Sequence, residues 1–330
     1  MLTPALDALR AAWPKTRIVV AVGASAAPIL AHDPNVSGIV ALAPGEGTFA
    51  YTRRLRAALP ESGPIALLDL HGKLRSLAIR ALLPFDGPRV VWHKRDVLDT
   101  VGVKLRLRTW RSDRLHADRY HLAVEQLVGR PLPRGRLRCV VAPEEVDRAA
   151  GLLAAAGRDL AKPLVGLSPG AKWATKRWPA ERFAALARRA LAAGCDVAVQ
   201  GSPDERALCA EIVAQAPGSL DLSGNVDIPT LMGLVHECTA FIANDSGPMH
   251  LARALGVPTL AIFGSTDPGM FAWTGHRALF AGLPCAPCSF YGRDACPLGH
   301  LRCLLDIEVE AAWTALEALL AAGPVGAVGA

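Results

Sequence analysis

The sequence predicts an α/β protein built from two domains, each with a parallel β-sheet covered by helices on both faces. Short apolar runs alternate with amphipathic helical stretches along the chain. The runs are continuously apolar, which is typical of strands that are buried on both faces. The length of 330 residues suits two domains, and 51% hydrophobic against 20% charged residues favours large buried cores over disorder.

Each strand is predicted from an apolar run, and each helix from apolar residues that recur with the helical period. The predicted strands are residues 17–23, 37–42, 64–70, 89–93, 164–170, 196–201, 240–245 and 259–264. The predicted helices are residues 3–13, 49–60, 74–83, 180–194, 204–216 and 249–256. A segment rich in Pro and Gly, followed by a further helix, separates the halves, so the domains are predicted as 1–150 and 151–330.

The charge and the apolar pattern restrict the possible partners. A net charge of +6 is compatible with an anionic substrate or an anionic membrane surface. The sequence has no motif that combines aromatic and basic residues for base recognition, so no nucleic acid partner is predicted. No apolar run is long enough to span a bilayer, and the opening residues form no signal-peptide core. We therefore expect a cytoplasmic protein.

Polar and small residues stand at the ends of several predicted strands. In open parallel sheets, ligands bind at the carboxyl ends of the strands, so these residues mark the candidate site. They are Asp69 and His71, Ser168 and Gly170, Gly201 and Ser202, Asn244 and Asp245, and Gly264 and Ser265.

One junction between a strand and a helix has the features of an anion site. In "ANDSGPMH" (243–250), Asp245 and Ser246 stand between an apolar run and a helix, and Ser246 can cap that helix. The free N–H groups of the helix start, the small Gly247 and the nearby His250 favour binding of a phosphate. An ordinary capped junction is the competing interpretation, because Ser and Asp are common at such positions.

A second junction, "LSPGAKWATKRWP" (167–179), supports the phosphate interpretation. Ser168 and Gly170 end a strand, and the loop that follows contains Lys172 and Lys176. A lysine beside small turn residues suits a pyrophosphate, although a solvated basic loop is the competing interpretation. The chain has no Walker loop and no G-x-G-x-x-G, which disfavours kinases and dehydrogenases. It also has no D-x-D, so neither a carboxylate-held metal nor a cofactor is predicted.

The same stretches resemble a known family. "PGAKWATKRWPAERFAALA" (169–187) and "FIANDSGPMHLARALGVPTLAIFGSTDP" (241–268) resemble the ADP-heptose:lipopolysaccharide heptosyltransferases of glycosyltransferase family 9. "LLDLHGKLRS" (67–76) is similar to the acceptor-domain motif of that family, and "HADRYHLAVEQL" (116–127) is similar to a later helix.

The resemblance implies a GT-B architecture, in which two Rossmann-like domains face each other across a cleft. The N-terminal domain would bind a phosphorylated acceptor of the lipid A–Kdo type, and the C-terminal domain would bind ADP-heptose. The implied reaction is an inverting, metal-independent transfer of heptose to the inner core of lipopolysaccharide. It would take place at the inner face of the cytoplasmic membrane, in contact with anionic lipid.

The resemblance also implies roles for individual residues. Lys176 would contact the diphosphate and act in catalysis. Glu205, with Asp204 as its rival, would contact the ribose or the adenine. The other implied donor-site residues are Ser168, Gly170, Lys172, Asp245, Ser246, Gly247 and His250, and the implied acceptor-binding residues are His71, Lys73 and Arg75.

One departure from the family pattern concerns the catalytic base. Family members begin with a strand and a Gly-Asp turn ahead of the segment that reads "TPALDALR" here, and that Asp is the expected general base. We therefore expect an interrupted sheet in the N-terminal domain. Either the true start lies upstream of Met1 or the sequence is shortened, or else the protein is catalytically weak or uses another base. Asp69 is the candidate base, and a hydrogen bond within its own loop is the competing interpretation.

Four cysteines lie close together near the C-terminus. Cys285, Cys288, Cys296 and Cys303, with His300 between them, could hold zinc or an iron–sulfur cluster. The second pair is C-x₆-C rather than a tight knuckle, so reduced thiols in a surface loop are favoured and no metal is predicted.

Residues 89–119 are rich in Lys and Arg, most densely at 104–111, and could contact a phosphorylated lipid; a solvated loop is the alternative.

Three other functions of the whole protein remain open. They are a related transferase that uses another nucleotide sugar, a sugar-nucleotide-binding protein without catalysis, and a metal or redox protein built on the cysteines.

Overall fold

The computed structural model describes residues 1–83, 85–92 and 115–323. Contacts divide the chain between Val140 and Val141 into an N-terminal and a C-terminal unit. The division precedes the helix that follows the segment rich in Pro and Gly, so this helix belongs to the C-terminal unit.

The C-terminal unit is a parallel sheet between layers of helices. Its strands are β5 (Leu164–Ser168), β6 (Asp196–Val199), β7 (Leu220–Asp221), β8 (Ala240–Asn244), β9 (Thr259–Phe263) and β10 (Arg277–Phe280). They lie in the order β10-β9-β8-β5-β6-β7, and every neighbouring pair is parallel. Every residue of β5, β6, β8 and β9 is buried, which confirms the prediction of strands covered on both faces.

The helices of this unit supply the covering layers. They are α6 (Pro143–Ala155), α7 (Ala180–Ala192), α8 (Arg206–Gln215), α9 (Ile228–His236), α10 (Gly247–Ala254), α11 (Arg302–Leu305) and α12 (Val309–Ala322). The amphipathic α7 buries Phe183 and Leu186 against the sheet. The carboxylate of Asp227 caps α9 by accepting the N–H of Thr230 at 2.8 Å.

The N-terminal unit contains β1 (Val19–Gly23), β2 (Gly38–Leu42), β3 (Leu67–Asp69) and β4 (Arg89–Val91). Its helices are α1 (Thr3–Ala12), α2 (Ala27–Leu30), α3 (Thr48–Ala58), α4 (Leu74–Leu82) and α5 (His116–Val128). Among the described residues, its strands form two separate parallel pairs, β1 with β2 and β3 with β4. This split agrees with the interrupted sheet expected from the sequence.

The strands of the N-terminal unit are less buried than the sequence predicts. The exposed or half-buried residues in β1 and β4 show that complete coverage of both faces was wrong for this unit. A two-stranded pair has two edges and little width, so helices cannot cover it as they cover β5 and β8. Helix α1 nevertheless joins the pairs, because Leu9 packs in clusters with both Val20 of β1 and Leu68 of β3.

The predicted basic stretch 104–111 lies outside the described residues. Within the part of the chain that the structure describes, none of the helices combines the length and the apolar character needed to cross a bilayer.

Replacement of Gly166 by alanine should destabilise the C-terminal unit. A Cβ atom on Gly166 in β5 would lie 2.5 Å from the Phe241 ring and 2.8 Å from the Cys238 sulfur. Such overpacking is expected to lower the free energy of unfolding by about 1–3 kcal/mol. The matched control is Gly151→Ala on the exposed side of α6, where an added Cβ would meet no other atom. This substitution should raise the free energy of unfolding by about 0.5–1 kcal/mol. Urea unfolding of both variants would measure the contrast, and equal stabilities would contradict the close packing at Gly166.

Candidate active site

A pocket of about 450 Å³ opens at the carboxyl ends of β5 and β8. It is lined by Lys172, Trp173, Lys176, Asp245, Ser246, Gly247, His250 and Tyr291. Six of these residues are predicted donor-site residues, and Trp173 and Tyr291 are additional. The structure thus brings together the two strand-end turns that the sequence marks separately.

Asn244, the last residue of β8, fastens the two turns to each other. Its side-chain amide donates to the carbonyl of Pro169 at 2.6 Å, and its side-chain oxygen accepts the N–H of Trp178 at 3.1 Å. Asn244 is fully buried, so these bonds form away from solvent. The loop with Lys176 is therefore held in a fixed position beside the loop with Asp245.

Lys176 and Asp245 form a largely buried ion pair on the wall of the pocket. The Lys176 ammonium lies 2.6 Å from Oδ2 of Asp245, and their side chains are 12% and 6% exposed. The same oxygen accepts the hydroxyl of Thr266 at 2.7 Å, and Thr266 is fully buried. One carboxylate oxygen thus receives two donors. An ammonium group has three N–H donors, so Lys176 can bind Asp245 and a further anion together.

The start of α10 offers donors to the pocket. Ser246 precedes the helix, but its hydroxyl does not cap it, so the predicted cap was wrong. The backbone at Ser246 is extended, and its buried Oγ has no hydrogen-bond partner in the described residues. A Cβ on Gly247 would meet no atom within 4 Å, so the space above the first helical turn is open. The first N–H groups of α10 and the Ser246 hydroxyl can therefore all serve an anion.

His250 lies one turn inside α10 and closes another side of the pocket. Its Nε2 is 4.0 Å from Oδ1 of Asp245, and its ring meets Phe271 edge-on with centroids 4.8 Å apart. Burial holds the pKa of His250 below its usual value, against the opposing attraction of Asp245. His250 is therefore a neutral imidazole at pH 7, which can donate one hydrogen bond but contributes no positive charge.

Trp173 and Tyr291 form an aromatic side of the pocket that the sequence did not predict. The indole of Trp173 packs on Gly292, where a Cβ would come within 2.6 Å of it and where φ is +107°. The N–H of Arg293 donates to the hydroxyl of Thr175 at 2.8 Å, which fixes the Tyr291 segment beside the Lys176 turn. No local sequence pattern could have placed Tyr291 at the pocket, because its segment is distant in sequence from both strand-end motifs.

The remaining predicted donor-site residues lie next to the pocket but do not line it. Ser168 is buried at the end of β5. The carboxylate of Glu205 lies so close to Gly170 that a Cβ there would come within 1.9 Å of it. The other oxygen of Glu205 accepts the N–H of Ser202 at 3.0 Å. Gly170 therefore makes room for Glu205 at the side of the site that faces β6.

Asp69 orders its own loop at the end of β3. Its Oδ1 accepts the N–H groups of His71 and Gly72, both at 2.9 Å, and its Oδ2 lies 3.4 Å from Arg80. Burial alone would raise the pKa of Asp69, but the hydrogen bonds it accepts and the nearby guanidinium outweigh burial and hold the pKa below its usual value. A carboxylate held in this way is a weak general base. Its contacts favour the loop interpretation, and its catalytic role stays a prediction.

Asp69→Asn should separate these two roles. Asparagine keeps an oxygen that can accept both backbone N–H groups, but it cannot take a proton from an acceptor hydroxyl. We expect transfer activity within about tenfold of the wild type, since the loop is preserved. The Asp69→Ala control removes the side-chain oxygen that accepts the two backbone N–H groups. It should therefore lose more activity and more stability than Asp69→Asn. A loss of about 10²-fold or more for Asp69→Asn alone, with unchanged thermal unfolding, would make Asp69 the base.

The predicted acceptor-binding residues lie at the start of α4. His71, Lys73 and Arg75 are all exposed there. The hydroxyl of Ser76 accepts the N–H of Lys73 at 2.9 Å and fixes the first turn of α4. Lys73 and Arg75 are thus exposed cationic groups at this helix start, and the acceptor-binding role of all three residues stays a prediction.

The cysteines near the C-terminus are all free thiols in the structure. The Cys285 sulfur lies 3.8 Å from Nε2 of His300. Burial raises the pKa of Cys303 to about 12 and also raises that of Cys288, so both are protonated at neutral pH. Across the described ranges, no three or more His, Cys, Asp and Glu side chains are grouped so that they could hold a metal ion.

Comparisons with known proteins show what the chain is similar to. The sequence model of glycosyltransferase family 9 (heptosyltransferase) matches residues 52–299. Lipooligosaccharide heptosyltransferase 2 of Campylobacter jejuni is 35% identical over 158 residues, which cover 45% of this chain and 48% of that protein. The chain thus spans about half the length of that relative. The match to lipopolysaccharide heptosyltransferase 2 of Salmonella typhimurium is 27% identical over 336 residues and covers 94% of this chain and 92% of that protein.

A solved structure shows the same fold. The structure of Escherichia coli ADP-heptose LPS heptosyltransferase II superposes with a TM-score of 0.70 at 21% identity. The superposition covers 97% of this chain and 94% of that chain. The family-model match confirms the resemblance read from the motifs, and the likeness to this structure confirms the predicted GT-B fold.

Proposed function

Because the chain belongs to glycosyltransferase family 9, the heptosyltransferases, we propose that it transfers heptose from ADP-heptose to an inner-core acceptor of lipopolysaccharide. The observation that carries this proposal is the convergence of Lys176, the Ser246 hydroxyl and the start of α10 on one pocket. These groups are donors suited to a diphosphate. The name of the Escherichia coli structure, which includes ADP-heptose, supports this choice of donor.

In the proposed reaction, the acceptor hydroxyl attacks the anomeric carbon of heptose from the side opposite to the diphosphate. The bond from that carbon to the diphosphate oxygen breaks, ADP leaves, and a base takes the hydroxyl proton. Negative charge grows on the departing diphosphate, and Lys176 with the N–H groups of α10 stabilises it. Because hydrogen-bond donors of the protein stabilise the negative charge on the diphosphate, the proposed reaction needs no metal ion. Neutral His250 would donate a hydrogen bond to the sugar or the phosphate.

The acceptor would be bound by the N-terminal unit. His71, Lys73 and Arg75 are exposed at the start of α4, as a phosphorylated lipid A–Kdo type acceptor requires. Such an acceptor is anchored in a bilayer, so the enzyme would work at the inner face of the cytoplasmic membrane, touching anionic lipid.

Calorimetry and a transfer assay test the proposal on the full chain. We expect ADP and ADP-heptose to bind, and heptose to appear on a lipid A–Kdo acceptor. The absence of any heat with both ligands would overturn the proposal. Faster turnover with an ADP-hexose than with ADP-heptose would favour the related transferase that uses another nucleotide sugar.

A second candidate function is supported by the state of Asp69. Because its carboxylate is engaged by its own loop, the chain could bind a sugar nucleotide without transferring the sugar. Binding of ADP-heptose with no product, on every acceptor tried, would favour this function.

A further inference from the structure

Helix α4 turns an apolar stripe toward solvent. Leu74, Leu77 and Leu82 are 85%, 53% and 48% exposed, and no residue of this helix is buried. Together with the exposed Ala78 and Ala81 they follow the helical spacing i, i+3, i+4, i+7 and i+8. We call these five residues the α4 stripe.

The inward side of α4 is the more polar one. Ser76, Ile79 and Arg80 are only partly exposed, and Arg80 reaches Asp69 at 3.4 Å. A helix that packs on a soluble core normally has the opposite arrangement, with its apolar stripe inward. A contiguous apolar surface that remains exposed usually marks an interaction site.

The charges around the α4 stripe indicate what covers it. Residues 71–85 contain Lys73, Arg75 and Arg80 and no acidic residue. Helix α3, which packs against α4, contains Arg53, Arg54 and Arg56 and likewise has no acidic residue. Lys73, Arg75, Arg53 and Arg56 are exposed, and none of the ion pairs within the described part of the chain involves them. A partner for this surface must therefore offer an apolar layer bordered by negative charge.

We infer that the α4 stripe lies on a bilayer that contains anionic lipid. Its leucines would enter the boundary between headgroups and acyl chains, and Lys73 and Arg75 would meet the headgroup phosphates. This inference rests on the proposed function. It places the acceptor-binding end of α4 at the membrane surface in which a lipid-anchored acceptor lies.

Vesicle binding of the full chain tests the inference without using sugar transfer. The wild type should sediment with phosphatidylglycerol-containing vesicles, less in high salt, and less with pure phosphatidylcholine. Leu74→Glu combined with Leu77→Glu should weaken binding to the anionic vesicles by about tenfold or more. The matched control is Leu160→Glu in the C-terminal unit, where the leucine is 82% exposed, and it should leave binding unchanged. Circular dichroism would check folding of both variants.

The outcomes separate this inference from the proposed function. Equal vesicle binding by the wild type and the Leu74/Leu77 variant would overturn the inference, as would a lack of binding by the wild type. If the double substitution instead abolished self-association in ultracentrifugation and left vesicle binding intact, the α4 stripe would be a contact between copies, which also overturns it. Calorimetry with ADP-heptose on the same samples tests the proposed function alone.

Discussion

Replacement of Lys176 by methionine is expected to lower the rate of sugar transfer by about 100- to 1,000-fold. Methionine fills a similar volume, but it removes the ammonium that faces the pocket beside the start of α10. The loss should fall mainly on kcat, because the charge on the diphosphate is greatest while the bond to the sugar is breaking. Steady-state kinetics with ADP-heptose and a lipid acceptor would measure it.

A second lysine in the same pocket provides the control. Lys172 is exposed, and its ammonium lies 5.3 Å from the centroid of the Trp173 ring. Solvent screens such a charge, so Lys172→Met should cost about tenfold or less. Equal effects of the two substitutions would mean that the diphosphate is not bound at the buried ion pair. Arginine at position 176 is a further check, since it keeps the charge but not the compact ammonium.

Much of this pocket could be predicted from the sequence because of a general property of parallel sheets. The carboxyl ends of β5 and β8 lie side by side, so residues at the two strand ends must meet. Lys176 and Asp245 are 69 positions apart, yet the apolar runs before them were sufficient to place both at one edge.

Other parts of the site depend on contacts that no local pattern encodes. Tyr291 reaches the pocket because its segment is bonded to Thr175 and to the end of β9, where the N–H of Cys288 donates to the carbonyl of Ser265 at 3.0 Å. Thr266 holds Asp245 through a single hydroxyl. The Ser246 cap was predicted from a residue preference, and in the structure its hydroxyl does not form the predicted bond.

The same distinction explains several of the elements that were not predicted, although not the helices α2, α11 and α12, which were also missed. All eight predicted strands are present, but the edge strands β7 and β10 were not predicted. β7 has two residues and β10 is only partly buried, so neither forms the continuous apolar run of a central strand. Helix α9 was missed because it is apolar on nearly every side, which removes the helical period from its sequence.

The second large effect concerns the stability of the ion pair in the pocket. Asp245→Asn should lower the free energy of unfolding by about 3–5 kcal/mol, because it leaves the largely buried Lys176 ammonium without its counter-charge. Lys176→Met should cost a similar amount, since it leaves the Asp245 carboxylate without its cationic partner and with the Thr266 hydroxyl as its hydrogen-bond donor among the described residues. The control is Thr266→Val, which removes one hydrogen bond to a charged group and should cost about 1.5–3 kcal/mol.

The double variant Lys176→Met with Asp245→Asn distinguishes the structural role of the pair from its chemical role. Neither charge remains unpaired, so its loss of stability should be smaller than the sum of the single losses by about 2–3 kcal/mol in denaturant unfolding. Additive losses would show that the pair does not form in solution. Transfer should nevertheless remain as low as in Lys176→Met, because asparagine and methionine give the diphosphate no positive charge. A buried pair contributes little to stability that well-packed neutral residues could not also supply. The combination of recovered stability and lost transfer would therefore mean that the charges serve the ligand, and that Asp245 holds the Lys176 ammonium in position at the wall of the pocket.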